Sequence, residues 1–486
     1  MPDVRPTRRR RGVFVCLALT LVALALAAGS AREAWAQGGD SLMGRLEGPR
    51  VVTDREQFPE QFQEAPALAE RVQRGELPPV AERIGSDPLV VEPVHEIGRY
   101  GGIWRRGFSG PADFWNGYRC CGHDKILFWD PTGNSLVPNV ARGWEVSDGG
   151  RVFTVFLRRG MKWSDGHPFT ADDFMFWYED IYRNDELVPM KTPIMSINDQ
   201  PGRMEKVDDH AIRFVFAEPY YVFPDMLAGS TSLGGHSFQG RGLYGGFAPK
   251  HYLRQFHPRY VGQEAVDQLV KDAGYDNWAS FMRYVNDWSL NPDLPAVTAW
   301  KTTSPINTPT WVLERNPYFY QVDTAGNQLP YIDKVVLTLA ENLEVLNLRA
   351  IAGEYDFQAR HIDLNKLPVF LDNQHRGDYT VSLDPADIGC DACLFVNQTY
   401  DADPEIASWL QSREFRIALS HGIDREQLNE AFWLGIGTAG SQVLAESSPY
   451  FPGPEYRTMH STYNPELASK MLDDLGLTNR DSEGYR

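Results

Sequence analysis

Between residues 138 and 181 the apolar positions change period twice. "VFTVFLR" (152–158) alternates apolar and polar side chains and is rich in β-formers, which predicts a strand with one buried face. Asp148-Gly149-Gly150 separates it from "ARGWEVS". An Asp-Gly pair between two strand-like runs predicts a hairpin, because glycine accepts the positive φ of such turns. A second Asp-Gly turn follows at Asp165-Gly166, and Pro168 keeps the residue before it out of a helix. From Thr170 the period becomes helical, with Phe174, Trp177, Tyr178 and Ile181 on one face. Thr170 and Asp173 have the spacing of a capping box, with the shorter Asp in place of the usual Glu or Gln. Asp172 and Asp173 also sit where the helix dipole favours carboxylates. Each acid near His167 therefore has a structural explanation. The cluster Asp165, His167, Asp172 and Asp173 is read as scaffold, not as a catalytic centre, and His167 as a loop histidine without a matched partner.

The N-terminus has a different pattern. Arg8–Arg11 precede an apolar run from about Gly12 to Ala28, and Ala34-Trp35-Ala36 fits a small-x-small cleavage site. Residues 1–36 are read as a secretory signal peptide cleaved near Ala36, and the rest as an exported, periplasmic chain. No later apolar stretch approaches the roughly 20 residues needed to span a bilayer. Residues 37–98 read as an N-terminal extension with one short helix in "PALAERVQRGELPPV", stopped by Gly75 and Pro78-Pro79. In "GRYGGIWRRGFSG" a Gly-Gly pair precedes a short strand, and Gly107 and Gly110 mark a loop. Near residue 486, Asn464-Pro465 start a helix with Leu467, Ala468, Met471, Leu472 and Leu475 on one face, closed by Gly476.

The chain has 486 residues, enough for two or three structural units. Hydrophobic residues make up 42% and charged residues 23%, as in ordinary globular proteins. The 13 Trp include candidates for a ligand cleft, where flat rings supply area at low entropy cost. Without the six Arg and two acids of residues 1–36, the 47 basic and 65 acidic residues become 41 against 63, a balance of −22. That charge argues against a nucleic-acid partner.

Four cysteines follow residue 36: Cys120, Cys121, Cys390 and Cys393. Export makes disulfides the default. A vicinal Cys120–Cys121 bridge would be strained, so one or two bridges between the two segments are expected. A zinc site of these cysteines with His123 is the rival. The Cys390-x-x-Cys393 pair runs into a strand-like stretch instead of opening a helix, which argues against thioredoxin-like chemistry. No HExxH or GxSxG occurs in a convincing context, so no catalytic residue, metal or other cofactor is assigned.

The stretch from Pro138 through Val140-Ala141, Trp144, Asp148-Gly149, Phe156-Leu157-Arg158, Trp163-Ser164-Asp165-Gly166 and Thr170 to Phe174 resembles the signature of extracellular solute-binding protein family 5. This family holds the periplasmic peptide-, oligopeptide- and nickel-binding components of ABC importers. Val140 replaces its commoner Leu. "ERNPYFYQVDTAGNQLPYIDKV…GEYDFQ", "CLFVNQTY" and "SREFRIALSHGIDR" resemble later family segments in the same order. They depart from it at Phe319-Tyr320, at Val396 between Phe395 and Asn397, at Phe415 and at Gly422. The resemblance implies an α/β, bilobal periplasmic-binding-protein-like fold of type II. Lobe one, with an extra subdomain, is expected over 99–394. Lobe two is expected to start at 395 and to be truncated, because the family continues beyond the helix at 465–475. "CLFVNQTY" is expected to be the strand crossing the hinge. The resemblance further implies a monomer that closes on a small solute and delivers it to membrane permease subunits, with no covalent chemistry. Di- or oligopeptide is the first expectation for the ligand, and oligosaccharide the alternative; a nickel or metallophore ligand, a zinc-dependent exported enzyme and a chaperone-like module rank lower. Phe114, Trp115, Asn116 and Tyr118, in the loop after the first strand, and Asn397 by the hinge are the candidate ligand-binding residues.

Overall fold

Strand pairing follows the alternation. In the computed structural model, which describes residues 42–44, 47–122, 124–239, 245–384, 389–446 and 448–486, Ala141–Ser147 pairs antiparallel with Val152–Leu157, closing the register at Ser147 opposite Val152. Asp148 and Gly149 both take positive φ in the turn between them, as the Asp-Gly pair predicts. Ala211–Val215 and Arg203–Asp208 complete a four-stranded antiparallel sheet. A second four-stranded sheet runs in the order Trp300–Ser304, Thr310–Arg315, Lys334–Leu339, Ile103–Phe108, its last pair parallel. The fold is mixed α/β, with one large aromatic-rich core that includes Trp163, Trp177 and Trp311. The signal-peptide reading of residues 1–36 and the zinc candidate His123 lie outside the described residues.

The stretch expected as an N-terminal extension is built into this fold. Its helix, Pro66–Gln73, forms where the sequence places it, and Gly75 follows with φ 72°. Arg50–Val52 and Leu89–Glu92 add two strands that pair with Gln321–Asp323 in a three-stranded sheet. Arg83 is fully buried and explains the anchorage: its guanidinium donates to Pro78 O, Pro317 O and Gln328 Oε1 and ion-pairs with Glu64. Short apolar runs broken by prolines hid these strands, because "LVVE" (89–92) is too short for its period to declare itself.

Arg158, the arginine ending the "FLR" strand, ties the same stretch to the hairpin. It is buried and donates to Asn139 O at 2.6 Å, Pro88 O at 3.0 Å, Asp87 O at 3.3 Å and Ala141 O at 3.4 Å. Burial pulls it down to about 10, still cationic at neutral pH.

The helix predicted from Thr170 begins at Ala171, runs as an α-helix to Phe176 and continues as a wider π-type turn through Tyr182. The capping box forms with Asp in the third position: Asp172 N donates to Thr170 Oγ1 at 3.3 Å, and Thr170 N donates to Asp173 Oδ2 at 3.0 Å. Asp173 does more than cap. Its Oδ2 also accepts from Trp163 Nε1 at 3.1 Å, and its Oδ1 accepts from Lys250 N at 3.1 Å. Asp165 makes its turn, accepting from His167 N at 3.1 Å, and also pairs with His251 at 2.7 Å. The structure gives His167 a partner that sequence did not: its ring stacks on that of His251 with centroids 4.0 Å apart.

Among the described residues, 42–44 and 381–384 form a small separate unit, in which Leu383 exchanges backbone hydrogen bonds with Leu42 and Gly44 at 2.9 Å. Within the large unit, residues 389–486 carry five helices joined by irregular segments, and no strand follows Leu339 among the described residues. The expected hinge-crossing strand at "CLFVNQTY" is therefore not formed. Leu394 and Phe395 find no partner strand there and stand 68% and 77% exposed. The last helix, Pro465–Asp474, has Asn464 as its cap, Oδ1 accepting from Leu467 N at 2.9 Å.

Thr170→Ala is expected to lower the unfolding free energy by about 1 kcal/mol in urea titration. Asp173 gives a pH dependence. Burial raises its carboxyl to about 6, outweighing the N–H donors that favour the ionised form. The folded state then binds more protons than the unfolded one between about pH 4 and 6, so this group's contribution to stability falls as pH rises through that window. Unfolding measured across it should show the fall in the wild type, flattened in Asp173→Asn.

Candidate functional site

The strand Ile103–Phe108 runs through Ser109–Asp113 into the helix Phe114–Cys121. Gly107 lies inside the strand, not in a loop, where a side chain would run into the Tyr355 ring. Gly110 opens the connection with φ 121°. At its end Asp113 is buried and accepts from Ser109 N at 3.1 Å and Asn116 Nδ2 at 3.2 Å, while pairing with Arg360 and, at 3.0 Å, with His361. Burial pushes the Asp113 carboxyl up, but Arg360, Ser109, Asn116 and His361 together hold it below the usual carboxylate range.

The four candidates on this helix divide. Asn116 is 0% exposed, and its polar atoms are spent inside the fold. Oδ1 accepts from Arg106 Nη2 at 2.8 Å and Nε at 3.2 Å, and Nδ2 donates to Gly107 O at 2.7 Å. Arg106 itself is buried, with its guanidinium over Trp104 and Phe357 at 5.2 and 5.8 Å. Tyr118 is buried in the core. Phe114 and Trp115 are half-buried, with ring centroids 4.9 Å apart, and Trp115 meets the Tyr118 ring edge-on at 5.4 Å. They alone among the four are not buried. Asn397 is exposed in a turn well apart in sequence from this helix, its Oδ1 accepting from Thr399 N at 3.1 Å and Thr399 Oγ1 at 3.0 Å.

The expected bridges between the two cysteine segments do not form at Cys120. Cys390 pairs with Cys393, whose Cα atoms lie 6.2 Å apart, within disulfide range. Cys120 is a free thiol 2% exposed on the inner face of its helix, donating to Asn116 O at 3.6 Å. Burial pushes it up to about 11, so it is an unreactive thiol at neutral pH. The side chain of Cys121 lies outside the described residues. With Cys390 and Cys393 spent on each other, the zinc rival loses two of its ligands, and no group of His, Cys, Asp or Glu among the described residues is arranged for a metal.

A feature that sequence reasoning missed lies after the disulfide. A cavity of about 550 Å³ is bounded by the 389–398 loop, with Cys390, Cys393 and Phe395, and by Arg416, Arg425 and Trp433 from the helices Arg413–His421 and Arg425–Trp433. A second cavity of about 550 Å³ shares Arg416, Ser420, Ser441 and Gln442 with it. Arg416 and Arg425 stand in "SREFRIALSHGIDR", where the motif draws the eye to the apolar helix face and not to the charges.

The described residues thus offer a strand-to-helix junction carrying half-buried aromatics and, on a separate helical segment, two arginine-lined cavities. The profile of bacterial extracellular solute-binding proteins, family 5 (middle), matches residues 135–486, and the chain belongs to that family. It is 27% identical over 446 residues to a periplasmic alpha-galactoside-binding protein of Rhizobium meliloti (strain 1021), covering 85% of this chain and 59% of the relative. It is 31% identical over 357 residues to the dipeptide-binding protein of Escherichia coli (strain K12), covering 70% and 55%. Among solved structures, an oligopeptide-binding protein OppA shares 35% identity at a TM-score of 0.66, over 87% of this chain and 64% of that one. The periplasmic binding protein MelB of Agrobacterium fabrum C58, in complex with stachyose, shares the fold at 20% identity and a TM-score of 0.65, over 91% and 66%. The chain thus spans a little over half the length of these curated relatives. Among the described residues no helix is long and apolar enough to cross a membrane.

Asn116→Leu is expected to destabilise the fold by about 3 kcal/mol, because it strands the Arg106 guanidinium in the interior; thermal unfolding checks this. Peptide mapping without reduction should recover Cys390 linked to Cys393, and iodoacetamide should alkylate Cys120 only after denaturation.

Proposed function

We propose that this chain is the solute-capturing component of an ABC importer, exported to the periplasm. It holds a small solute as a monomer, without covalent chemistry, and hands it to membrane permease subunits. The match to the solute-binding family over 135–486 carries this reading. The first ligand class is a di- or oligopeptide, supported by the 35% identity to an oligopeptide-binding structure and the 31% identity to a dipeptide-binding protein.

One observation favours a second reading. The alpha-galactoside-binding relative aligns over more of this chain, 85%, than the dipeptide-binding one, and the Phe114–Trp115 pair offers ring faces that suit a sugar as well as a peptide side chain. In either case Phe114 and Trp115 are the residues proposed to meet the ligand. Asn397 is a weaker candidate, because its carboxamide oxygen is already engaged by Thr399.

Native mass spectrometry of the exported protein tests the reading. A retained peptide or oligosaccharide, released on denaturation, is the expected outcome, and turnover of a substrate would overturn it. Trp115→Ala should weaken affinity for the retained solute at least fivefold, since the lost ring contact is about 1 kcal/mol or more. Unchanged affinity would remove Trp115 from the site.

A further inference from the structure

Cys390 and Cys393 pair at a sequence separation of 3, in the loop that leads to the helix Pro404–Gln411. A bridge that closes so small a ring removes little chain entropy from the unfolded state, so it adds little to global stability. Asp391 and Ala392, between the two cysteines, are exposed, and both cysteines are half-buried, within reach of an attacking thiol. The bridge lies in irregular chain and no helix starts at it, whereas the cysteines of a redox enzyme are activated at a helix N-terminus. It is placed to be acted on, not to act.

The bridge is nonetheless what ties its loop together. Among the described residues no main-chain hydrogen bond joins 389–398 to another segment. Gly389 enters the loop with φ 80°, so close to Val443 O that a side chain would collide with it. Asp403 caps the helix that follows, with Oδ1 accepting from Glu405 N at 2.9 Å and Ile406 N at 3.1 Å. Between these two fixed points Leu394 and Phe395 stand exposed, and Asn397 turns its side chain back onto Thr399.

The surroundings favour the thiolates that opening would release. Cys390 and Cys393 line the same cavity as Arg416, Arg425 and Arg457, against a single lining acid, the exposed Asp391. None of the three arginines forms an ion pair among the described residues, and their partners are neutral. Arg416 donates from Nη1 to Leu410 O at 2.9 Å, and Arg457 makes one long contact to Leu444 O at 3.4 Å. Arg425 donates to Gly440 O, Ser420 O, Ser461 O and Ser420 Oγ at 2.7–3.1 Å. Cations beside a disulfide stabilise the departing thiolate and draw in an attacking one.

We infer that the Cys390–Cys393 bridge is a thiol–disulfide exchange site for a dithiol partner, and that its reduction releases the 389–398 loop from the cavity wall. One thiolate of the dithiol bonds to a cysteine sulfur, the S–S bond breaks, and the other cysteine leaves as a thiolate. The second thiol of the dithiol then attacks the mixed disulfide and frees the first cysteine. The dithiol ends as a disulfide, having given two electrons and two protons to the pair. The inference goes beyond solute capture and stands without it.

Dithiothreitol titrated onto the native full chain, with iodoacetamide trapping and peptide mass spectrometry, tests it. Cys390 and Cys393 should both become alkylated while Cys120, which reports unfolding, stays unmodified. Hydrogen exchange over 389–398 should quicken at least tenfold on reduction and stay the same in the other helices. The Cys390→Ser/Cys393→Ser chain should show the fast exchange with no reductant. The bridge should open at least threefold more slowly in Arg416→Gln/Arg457→Gln, provided its melting temperature matches the wild type, and raised salt should slow opening in the wild type by screening the same charges. Alkylation of the pair only together with Cys120 overturns the inference. So does exchange over 389–398 that is the same before and after reduction, or a rate of opening indifferent to both arginine charge and salt.

Discussion

One carboxylate holds together the part of the fold on which the rest is assembled. Asp173 closes the N-terminus of its helix through Thr170, fixes the Trp163 indole and receives Lys250 N from a segment far along the chain. Its two oxygens therefore fix a turn, a helix start and a distant loop at one buried point. Glu at this position would cap as well, but its extra methylene would move the carboxylate off the indole and off Lys250, in an interior that leaves little room for such a shift. The apparent imperfection of the capping box is thus the condition for its second and third tasks.

A second device recurs in the interior. Arg83 and Arg158 are buried guanidinium groups whose hydrogen bonds go largely to main-chain carbonyls, and Arg106 takes a side-chain amide. Carbonyls at chain reversals are acceptors that no ladder satisfies, and a fork with five donors can collect several from different segments. Together with strand pairing to 321–323 and buried apolar residues such as Val52, Ile84, Leu89 and Val90, that is how residues 50–92 are held to the remainder. It also sets a standard for the arginines of the 389–460 segment. Arg425 meets it, with several carbonyls gathered around one fork, whereas Arg416 and Arg457 do not. Similar residues in one cavity thus divide into wall and unspent donor.

Local signals were legible in sequence and non-local ones were not. The Asp148-Gly149 hairpin, the helix from Thr170 and the helices at 66 and 465 are specified by neighbours within a few residues, and they stand where the periodicity puts them. The strands at 50–52 and 89–92 depend on pairing with 321–323, which no local period encodes. The strand expected at 393–400 failed for the same reason, since apolar β-formers without a partner ladder remain exposed chain. At the candidate site, aromatic and polar residues after the first strand were visible as a group, but helix geometry sorts them: Asn116 and Tyr118 point inward, while Phe114 and Trp115 keep accessible rings. The cysteine pairing turned on the same sorting, because Cys120 falls on the inner face of that helix.

The aromatic pair and the arginines carry different information about the ligand. A ring face accepts an aliphatic side chain, a peptide plane or a pyranose with similar energy, so Phe114 and Trp115 say little about which class binds. A half-buried guanidinium without a counter-ion is selective in a way a ring is not, because a neutral ligand would desolvate it without replacing its lost hydration. In this chain Asp173 and Arg158 spend their hydrogen bonds on the scaffold itself, whereas Arg416 donates a single bond and keeps the rest of its fork unused.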